Sequence, residues 1–178
     1  FEEQGYKVLY GDTDSLFVDI QCELEKSPDE IMEIGDYLCK NANIAIDAII
    51  KEEYQLESKL ELEFEKFYKH LIFPPSRAGS GSRAKSYAGL RINKKEEKLE
   101  IIGLEAIRSD WTKIAQEFQR TLLKMLFSGQ VSSSIEKYIQ NLISKLKNGL
   151  LDEDLIYRKR IRKPLSSYTK TTPPHVKA

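Results

Sequence analysis

The chain has 178 residues, of which 40% are hydrophobic and 31% charged, and its 28 basic residues balance its 28 acidic ones. This composition predicts a globular, water-soluble protein with a real core, and no apolar run is long enough to span a bilayer. The first residues, Phe1-Glu2-Glu3-Gln4, carry neither an initiator methionine nor a signal-peptide pattern, which favours an internal piece of a longer cytoplasmic protein.

The net charge of zero conceals two halves of opposite sign. Residues 1–65 contain 5 Lys/Arg against 18 Asp/Glu, a net of −13, whereas residues 66–178 contain 23 against 10, a net of +13. A basic half of this strength is suited to a polyanion. The cysteines Cys22 and Cys39 show no metal-type spacing and are typical of packing residues in a reducing compartment.

The acidic half begins with two local signals. Apolar residues on both sides of Gly11–Asp14 predict a β-hairpin from Tyr6 to Ile20 with the turn at its tip. Ser27-Pro28-Asp29-Glu30 then has the pattern of a helix start with a capping box. We expect this helix to end near Glu53 with an apolar face of Ile31, Ile34, Leu38, Ala42, Ala45 and Ile49.

Three strands are expected next. Leu60, Leu62 and Phe64 alternate with glutamates, which is the period of a half-exposed strand. A basic, glycine- and serine-rich loop covers 74–83, and two further strands follow at about 86–92 and 99–104.

The remainder of the chain reads as mainly helical. One helical face comprises Trp111, Ile114, Ala115, Phe118, Leu122, Met125 and Leu126, with Gly129 as the terminator. Ser133 and Glu136 predict a capping box that opens a second helix, whose apolar side is Ile135, Tyr138, Ile139, Leu142 and Leu146. The tail from Tyr157 is basic and is expected to be irregular, so the predicted class is α+β.

Asp12 and Asp14 are the candidate metal ligands. Magnesium prefers oxygen ligands and usually takes one or two carboxylates together with substrate phosphates. A bare Asp-x-Asp at a turn more often satisfies local backbone donors. The flanking Tyr10-Gly11 and Ser15, within an apolar hairpin, favour the metal site.

Four stretches carry a resemblance to a known family. Tyr10-Gly11-Asp12-Thr13-Asp14-Ser15 resembles the metal-binding palm motif of family B DNA polymerases. Lys85-Ser86-Tyr87-Ala88-Gly89 resembles the family's Lys-Lys-x-Tyr primer-contact motif, and 103–111 resembles its passage from palm to thumb. The stretch 160–178, with Pro174-His175-Val176, is similar to the family's thumb segment. The forms Tyr157-Arg158-Lys159-Arg160 and Pro173-Pro174-His175-Val176 are most similar to the bacterial DNA polymerase II branch.

The resemblance implies a fold and an activity. Residues 1–107 would be the C-terminal part of a palm, an antiparallel sheet with a packed helix, and 108–178 a mainly helical thumb truncated at its C-terminus. The intact enzyme would be a DNA-directed DNA polymerase of DNA replication or repair that joins dNTPs to a primer 3′-hydroxyl. Asp14 would be the principal ligand and Asp12 the supporting ligand of two Mg²⁺ ions, with Mn²⁺ as a substitute.

The same resemblance assigns DNA contacts. Tyr10, Gly11, Thr13 and Ser15 would shape the turn beside the primer end, and Lys85, Tyr87 and Arg108 would hold the primer strand. The basic cluster of the tail is independently suited to a phosphate backbone because few acidic residues lie near it after Asp154. It comprises Arg158, Lys159, Arg160, Arg162 and Lys163.

Several features limit this interpretation. Ala84 stands where the primer motif has its first lysine, which removes one expected cation, and Arg83 is one position too early to replace it. The family's Asp-x-x-Ser-Leu-Tyr-Pro motif and its fingers helix do not occur in the chain, so we expect the isolated chain to bind duplex DNA without extending primers. A sliding clamp would be engaged through a C-terminal tail beyond Ala178, in a cytoplasmic, nucleoid-associated enzyme.

Two other functions remain open at this point. A non-catalytic DNA-binding module would require only the basic half of the chain. A glycosyltransferase uses Asp-x-Asp to hold a metal–nucleotide-sugar complex, but it leaves the Lys85–Gly89 match and the basic half unexplained.

Overall fold

The protein is described by a computed structural model that covers residues 1–21, 26–75, 85–93, 96–161, 163–168 and 176. These residues form five strands in two sheets and three α-helices, which confirms the mixed α and β class. The chain divides into a first unit, Phe1–Glu100, and a second unit, Ile101–Ala178. The names palm and thumb for parts of this chain remain predictions.

The predicted N-terminal hairpin is confirmed. Strand β1, Lys7–Asp12, pairs antiparallel with β2, Ser15–Asp19. The register places Tyr10 opposite Phe17, and an irregularity interrupts the pairing between Val8 and Tyr10. A bulge of this kind bends the strand and increases its twist, which re-aims the side chains that follow it.

Helix α1 spans Pro28–Tyr54, close to the predicted range. The Ser27 hydroxyl accepts from the Glu30 amide, and the Glu30 carboxylate accepts from the Ser27 amide at 2.7 Å, so the predicted capping box is present. These bonds lower the pKa of Glu30. Ile31 and Leu38 are buried as expected. The far end of the predicted apolar face is wrong, because Ala45 and Ile49 are exposed.

The strand expected at Leu60–Glu65 is wrong, since no strand includes these described residues. The segment instead lies along α1, where the Asn43 side chain bonds both the amide (2.7 Å) and the carbonyl (2.8 Å) of Leu62. Leu62 and Phe64 are half-buried, whereas the glutamates between them are exposed. The alternating pattern therefore shows that one side of this segment is buried, but the element that buries it is helix α1 and not a neighbouring strand.

Cys39 belongs to the same contact. Its Sγ donates to the Leu62 carbonyl at 2.9 Å. Burial and the nearby carboxylates of Asp36, Glu63 and Glu61 raise the pKa of the thiol. A raised pKa keeps the thiol protonated and unreactive, which supports a packing role. Cys22 lies outside the described residues.

The second sheet has the order β3-β4-β5, with β3 at Phe67–Ile72, β4 at Tyr87–Ile92 and β5 at Glu97–Ile102. The two strands predicted after the loop are thus confirmed, the second beginning two residues early. In the central strand, Gly89 has no room for a side chain, because a Cβ there would lie 2.5 Å from Tyr68 Cδ1. The loop predicted at 74–83 lies mostly outside the described residues.

Helix α2, Lys113–Phe127, opens the helical part of the second unit. The Thr112 hydroxyl caps it by accepting from the Ala115 amide at 3.4 Å, and Gly129, with φ 68°, follows its end as predicted. The helix buries Ile114, Leu123 and Phe127. The expected face is therefore partly wrong, since Trp111 and Leu126 are 38% and 45% exposed.

Helix α3 spans Ser132–Lys147 and begins one residue earlier than its predicted cap. Val131 is the N-cap and no side chain bonds there, so the capping box of Ser133 and Glu136 is wrong. The predicted apolar side is half-buried along its length, and Tyr138 stacks on Phe118 of α2 with ring centres 6.1 Å apart. None of the described helices is both long and apolar enough to cross a membrane.

Candidate functional site

The carboxylates predicted to bind metal lie at the tip of the β1–β2 hairpin. Asp12 pairs with Ser15, so only Thr13 and Asp14 form the loop. Thr13 has φ 52°, a left-handed conformation that β-branched residues rarely adopt. Gly11 fits closely, because a Cβ there would lie 3.2 Å from Leu16 Cδ2. Strained, tightly packed turns of this kind recur at functional sites.

The donor set at this tip suits magnesium. Asp14 is exposed, and the sequence carries a second aspartate, Asp12, two residues before it. Carboxylates are the hard oxygen ligands that Mg²⁺ prefers, usually one or two of them together with substrate phosphates. Among the described side chains, no group of three or more His, Cys, Asp or Glu is close enough to hold a metal.

A hydrogen bond joins the two predicted motifs of the first unit. The Tyr10 hydroxyl accepts from the Lys85 amide at 3.1 Å, across 75 residues of sequence. Lys85 has φ 55° and is exposed, and it leads into strand β4 through Ser86, which is only 5% exposed. The hairpin that carries the aspartates is therefore bonded to the backbone of Lys85, the residue whose side chain is the predicted primer-binding cation.

An aromatic cluster packs the hairpin against the second sheet. Phe17 lies at its centre, with ring centres 5.1 Å from Tyr87, 5.5 Å from Phe73 and 6.2 Å from Tyr68. Tyr10 adds contacts of 6.0 Å to Phe17 and 5.2 Å to Phe73. Tilted and edge-on rings at these distances stabilise one another beyond their burial. Tyr87, predicted to hold the primer, is half-buried within this cluster.

In the second unit, Asp110 connects two cations. Arg108 donates from Nε to Oδ1 (2.9 Å) and from Nη2 to Oδ2 (2.7 Å) of Asp110, and Lys159 Nζ donates to the same Oδ2 at 3.3 Å. The hydrogen bond from Arg108, with the smaller effect of Lys159, holds the pKa of Asp110 well below its usual range. Asp110 therefore pairs, whereas Thr112 caps the helix that follows.

The rest of the predicted basic cluster is exposed. Arg158, Arg160 and Lys163 face solvent, and the Lys163 amide donates to the Tyr168 hydroxyl at 3.3 Å. Arg162 lies outside the described residues. Beside the cluster, a cleft of about 600 Å³ is lined by residues of both charges and by the indole of Trp111. Lys113 closes one side of it through an ion pair of 3.0 Å with Asp154.

Comparison with known proteins identifies the family. The profile of DNA polymerase family B matches residues 2–178. The chain belongs to DNA polymerase family B. This membership confirms the resemblance found in the polymerase motifs.

Three relatives show the range of similarity within family B. The chain is 40% identical over 177 residues to "DNA polymerase II" of Escherichia coli (strain K12), covering 99% of this chain and 22% of that protein. It is 29% identical to "DNA polymerase 2" of Aeropyrum pernix, in a match that covers 99% of this chain and 18% of that protein. It is 34% identical to "DNA polymerase" of Thermococcus gorgonarius, in a match that covers 98% of this chain and 20% of that protein. The chain thus spans about a fifth of the length of these relatives.

Sequence reasoning about this family B chain missed the contacts that assemble the site. Phe17, Tyr68 and Phe73 were not singled out, although the hairpin register alone places Phe17 opposite Tyr10. The structure brings Tyr10, Lys85 and Tyr87 together in the first unit, and Arg108 with Lys159 in the second. The bond from Lys159 to Asp110, which lies 49 residues away, carries no sequence signal.

Proposed function

We propose that this chain is part of a DNA-directed DNA polymerase, with residues 1–107 in the palm and 108–178 in the thumb. One observation carries the proposal. The hairpin whose turn follows Asp12 and contains Asp14 is bonded, through the Tyr10 hydroxyl, to the backbone amide of Lys85, in a chain of DNA polymerase family B. A carboxylate pair beside a phosphate-binding cation suits chemistry at the end of a nucleic acid strand.

The proposed reaction is nucleotidyl transfer. The primer 3′-hydroxyl oxygen forms a bond to the α-phosphorus of a deoxynucleoside triphosphate, the bond from that phosphorus to the leaving oxygen breaks, and pyrophosphate departs. Asp14, supported by Asp12, would hold Mg²⁺, which when bound in pairs stabilises the charge on the attacking and leaving oxygens. Thr13 and Ser15 would keep this turn tight, since Asp12 pairs with Ser15 across the hairpin.

The primer strand is assigned to the neighbouring residues of the first unit. Lys85 is exposed and carries a charge suited to a backbone phosphate. Tyr87 fixes this region because its ring packs against Phe17. Ala84, which replaces a lysine of the family motif, leaves Lys85 as the single cation expected at this contact.

Duplex DNA is assigned to the second unit. Arg158, Lys159, Arg160, Arg162 and Lys163 would neutralise phosphates of the duplex without reading the base sequence, and Arg108 would hold the primer strand. Most of these side chains are exposed, and Asp110 holds two of them together. Affinity from such contacts falls steeply as salt rises.

The cellular setting follows from the same proposal. A bacterial enzyme of this kind would act in the cytoplasm at the nucleoid, with primer–template DNA and dNTPs as its partners. A sliding clamp is a further proposed partner of the intact enzyme.

The decisive experiment replaces Asp14 in the intact protein. We expect Asp14→Ala to lower the rate of single-nucleotide incorporation by about 10³-fold or more, because several kcal/mol of charge stabilisation is lost. Asp47→Ala, an exposed carboxylate on α1, is the matched control and should change the rate by no more than about twofold.

Two other outcomes would count against the proposal. Full incorporation by Asp14→Ala would remove Asp14 from the catalytic site. An intact protein that binds primer–template DNA tightly but incorporates no nucleotide with Mg²⁺ or Mn²⁺ would be a non-catalytic DNA-binding module.

A further inference from the structure

The contact between Tyr10 and Lys85 joins a strand to a strained loop residue. Lys85 adopts φ 55°, a left-handed conformation that is unfavourable for a residue with a side chain. Its amide donates to the Tyr10 hydroxyl at 3.1 Å. A non-glycine residue persists in this conformation only where its surroundings hold it, and this bond is one such restraint.

Packing fixes the hydroxyl that accepts this bond. The Tyr10 ring lies between Phe17 and Phe73, with ring centres 6.0 and 5.2 Å away. Because the ring is held by these contacts, the Tyr10→Phe substitution removes the hydroxyl while leaving the aromatic cluster in place.

The same strand carries the metal-binding aspartates. Tyr10 is two residues before Asp12 on β1, so any movement of the hairpin moves the acceptor of the Lys85 amide with it. The backbone conformation of Lys85 in turn sets the direction in which its side chain leaves the loop.

We infer that Tyr10 is a positioning residue, whose hydroxyl holds Lys85 in a left-handed conformation so that its ammonium meets a primer phosphate at a fixed place relative to the aspartate turn. This inference rests on the proposed function, in which Lys85 binds the primer. It assigns Tyr10 an indirect role, since the hydroxyl acts through Lys85 and does not itself bind DNA.

The test is a double-mutant cycle in the intact protein. Tyr10→Phe, Lys85→Ala and the double variant are compared by their affinity for a primer–template duplex across a series of salt concentrations. Lys85→Ala should reduce the slope of log K against log salt by about 0.9, the value for one lost phosphate contact. Tyr10→Phe should weaken binding by about fivefold, the effect of one hydrogen bond, and should have no effect in the Lys85→Ala background.

A second measurement checks the bond itself. Tyr10→Phe should speed hydrogen exchange at the Lys85 amide while leaving the amides of β4 protected. Tyr37→Phe, whose hydroxyl is on an exposed side chain of α1, is the matched control and should alter neither affinity nor exchange.

Three results would overturn the inference. An equal loss of affinity from Tyr10→Phe in both backgrounds would mean that Tyr10 touches DNA directly or supports the fold. No loss in either background would mean that the hydrogen bond does not position Lys85. If Lys85→Ala leaves affinity and salt slope unchanged, the primer contact proposed for Lys85 fails as well, whereas the role of Asp14 is tested separately by incorporation.

Discussion

The two units hold their candidate functional side chains by different means. The first unit contains 14 Lys/Arg against 21 Asp/Glu, and it fixes Tyr10, Lys85 and Tyr87 through packed rings and backbone hydrogen bonds. The second unit reverses the counts, with 14 against 7, and it fixes Arg108 and Lys159 through ion pairs to Asp110.

This difference has a physical reason. In the proposed function Asp12 and Asp14 share a metal, and without it their carboxylates would repel one another, so uncharged contacts that do not compete for the ion are suited to hold the turn. In the same proposal Arg108 and Lys159 bind phosphates, and the nearby Asp110 would offset their mutual repulsion and limit their mobility. We therefore expect packing changes to disturb the first unit most, and charge changes to act weakly in the second.

The largest effect is expected at the centre of the aromatic cluster. Phe17→Ala removes a ring that contacts Tyr10, Tyr68, Phe73 and Tyr87, and it should lower the local unfolding free energy of β2 and β4 by about 3 kcal/mol. Hydrogen exchange resolved by segment measures this change. Leu16→Ala, which is exposed, should change it by less than about 0.5 kcal/mol. Similar losses of unfolding free energy for both variants would contradict the view that the aromatic cluster holds the hairpin on the second sheet.

A smaller loss of stability is expected where α1 packs against the segment 60–65. Gly35→Ala favours the helix by about 1 kcal/mol, but its Cβ would lie 2.5 Å from Phe64 Cζ. We expect a net destabilisation of about 1–2 kcal/mol. The sign should reverse in the Phe64→Ala background, as measured by exchange of the α1 amides. Stabilisation by Gly35→Ala alone would show that the ring yields freely.

The next loss of stability in order of size is expected from removing the hydrogen bonds between Asn43 and Leu62. Asn43→Ala leaves the Leu62 amide without its 2.7 Å acceptor, and we expect a loss of about 1–2 kcal/mol. Protection of the Leu62 amide against hydrogen exchange is the direct measurement. Asn41→Ala, on the same helix, is the control and should leave that amide protected.

The weakest effect is expected from the ion pairs of the second unit. Because Arg108 and Lys159 lower the pKa of Asp110, its pairing supports the fold above the usual aspartate range and is lost as pH falls through the lowered pKa. NMR titration of the Asp110 carboxyl should show that Arg108→Leu raises this pKa more than Lys159→Met does. The opposite order would mean that Lys159 is the main partner.

The sequence predicts those parts of the fold that depend on near neighbours. The hairpin and the start of α1 follow from signals within a few residues, namely the Gly11–Asp14 turn and the Ser27 cap. The errors occur where one local pattern fits two structures. Apolar and acidic residues alternate at 60–65 in the same way whether a helix or a strand packs on the segment. Ser133 and Glu136 have the pattern of a capping box, although α3 begins before Ser133.

The candidate site divides in the same way. The aspartate turn and the motif at Lys85 are visible in the sequence as separate stretches, because residue type and spacing carry them. Their connection through the Tyr10 hydroxyl is not visible, since it joins residues 75 positions apart. The link from Asp110 to Lys159 is hidden for the same reason.

The side-chain amide of Asn43 also has a consequence for aggregation. Residues 60–65 alternate apolar and acidic side chains, a pattern that readily adds to another chain as an open β-edge. The Asn43 side chain is hydrogen-bonded to the amide and the carbonyl of Leu62, so these two backbone groups are not available to pair with another chain. The exposed carboxylates of Glu61, Glu63 and Glu65 would also repel a second copy of this segment. Both the hydrogen bonds from Asn43 and this charge therefore oppose pairing with another chain.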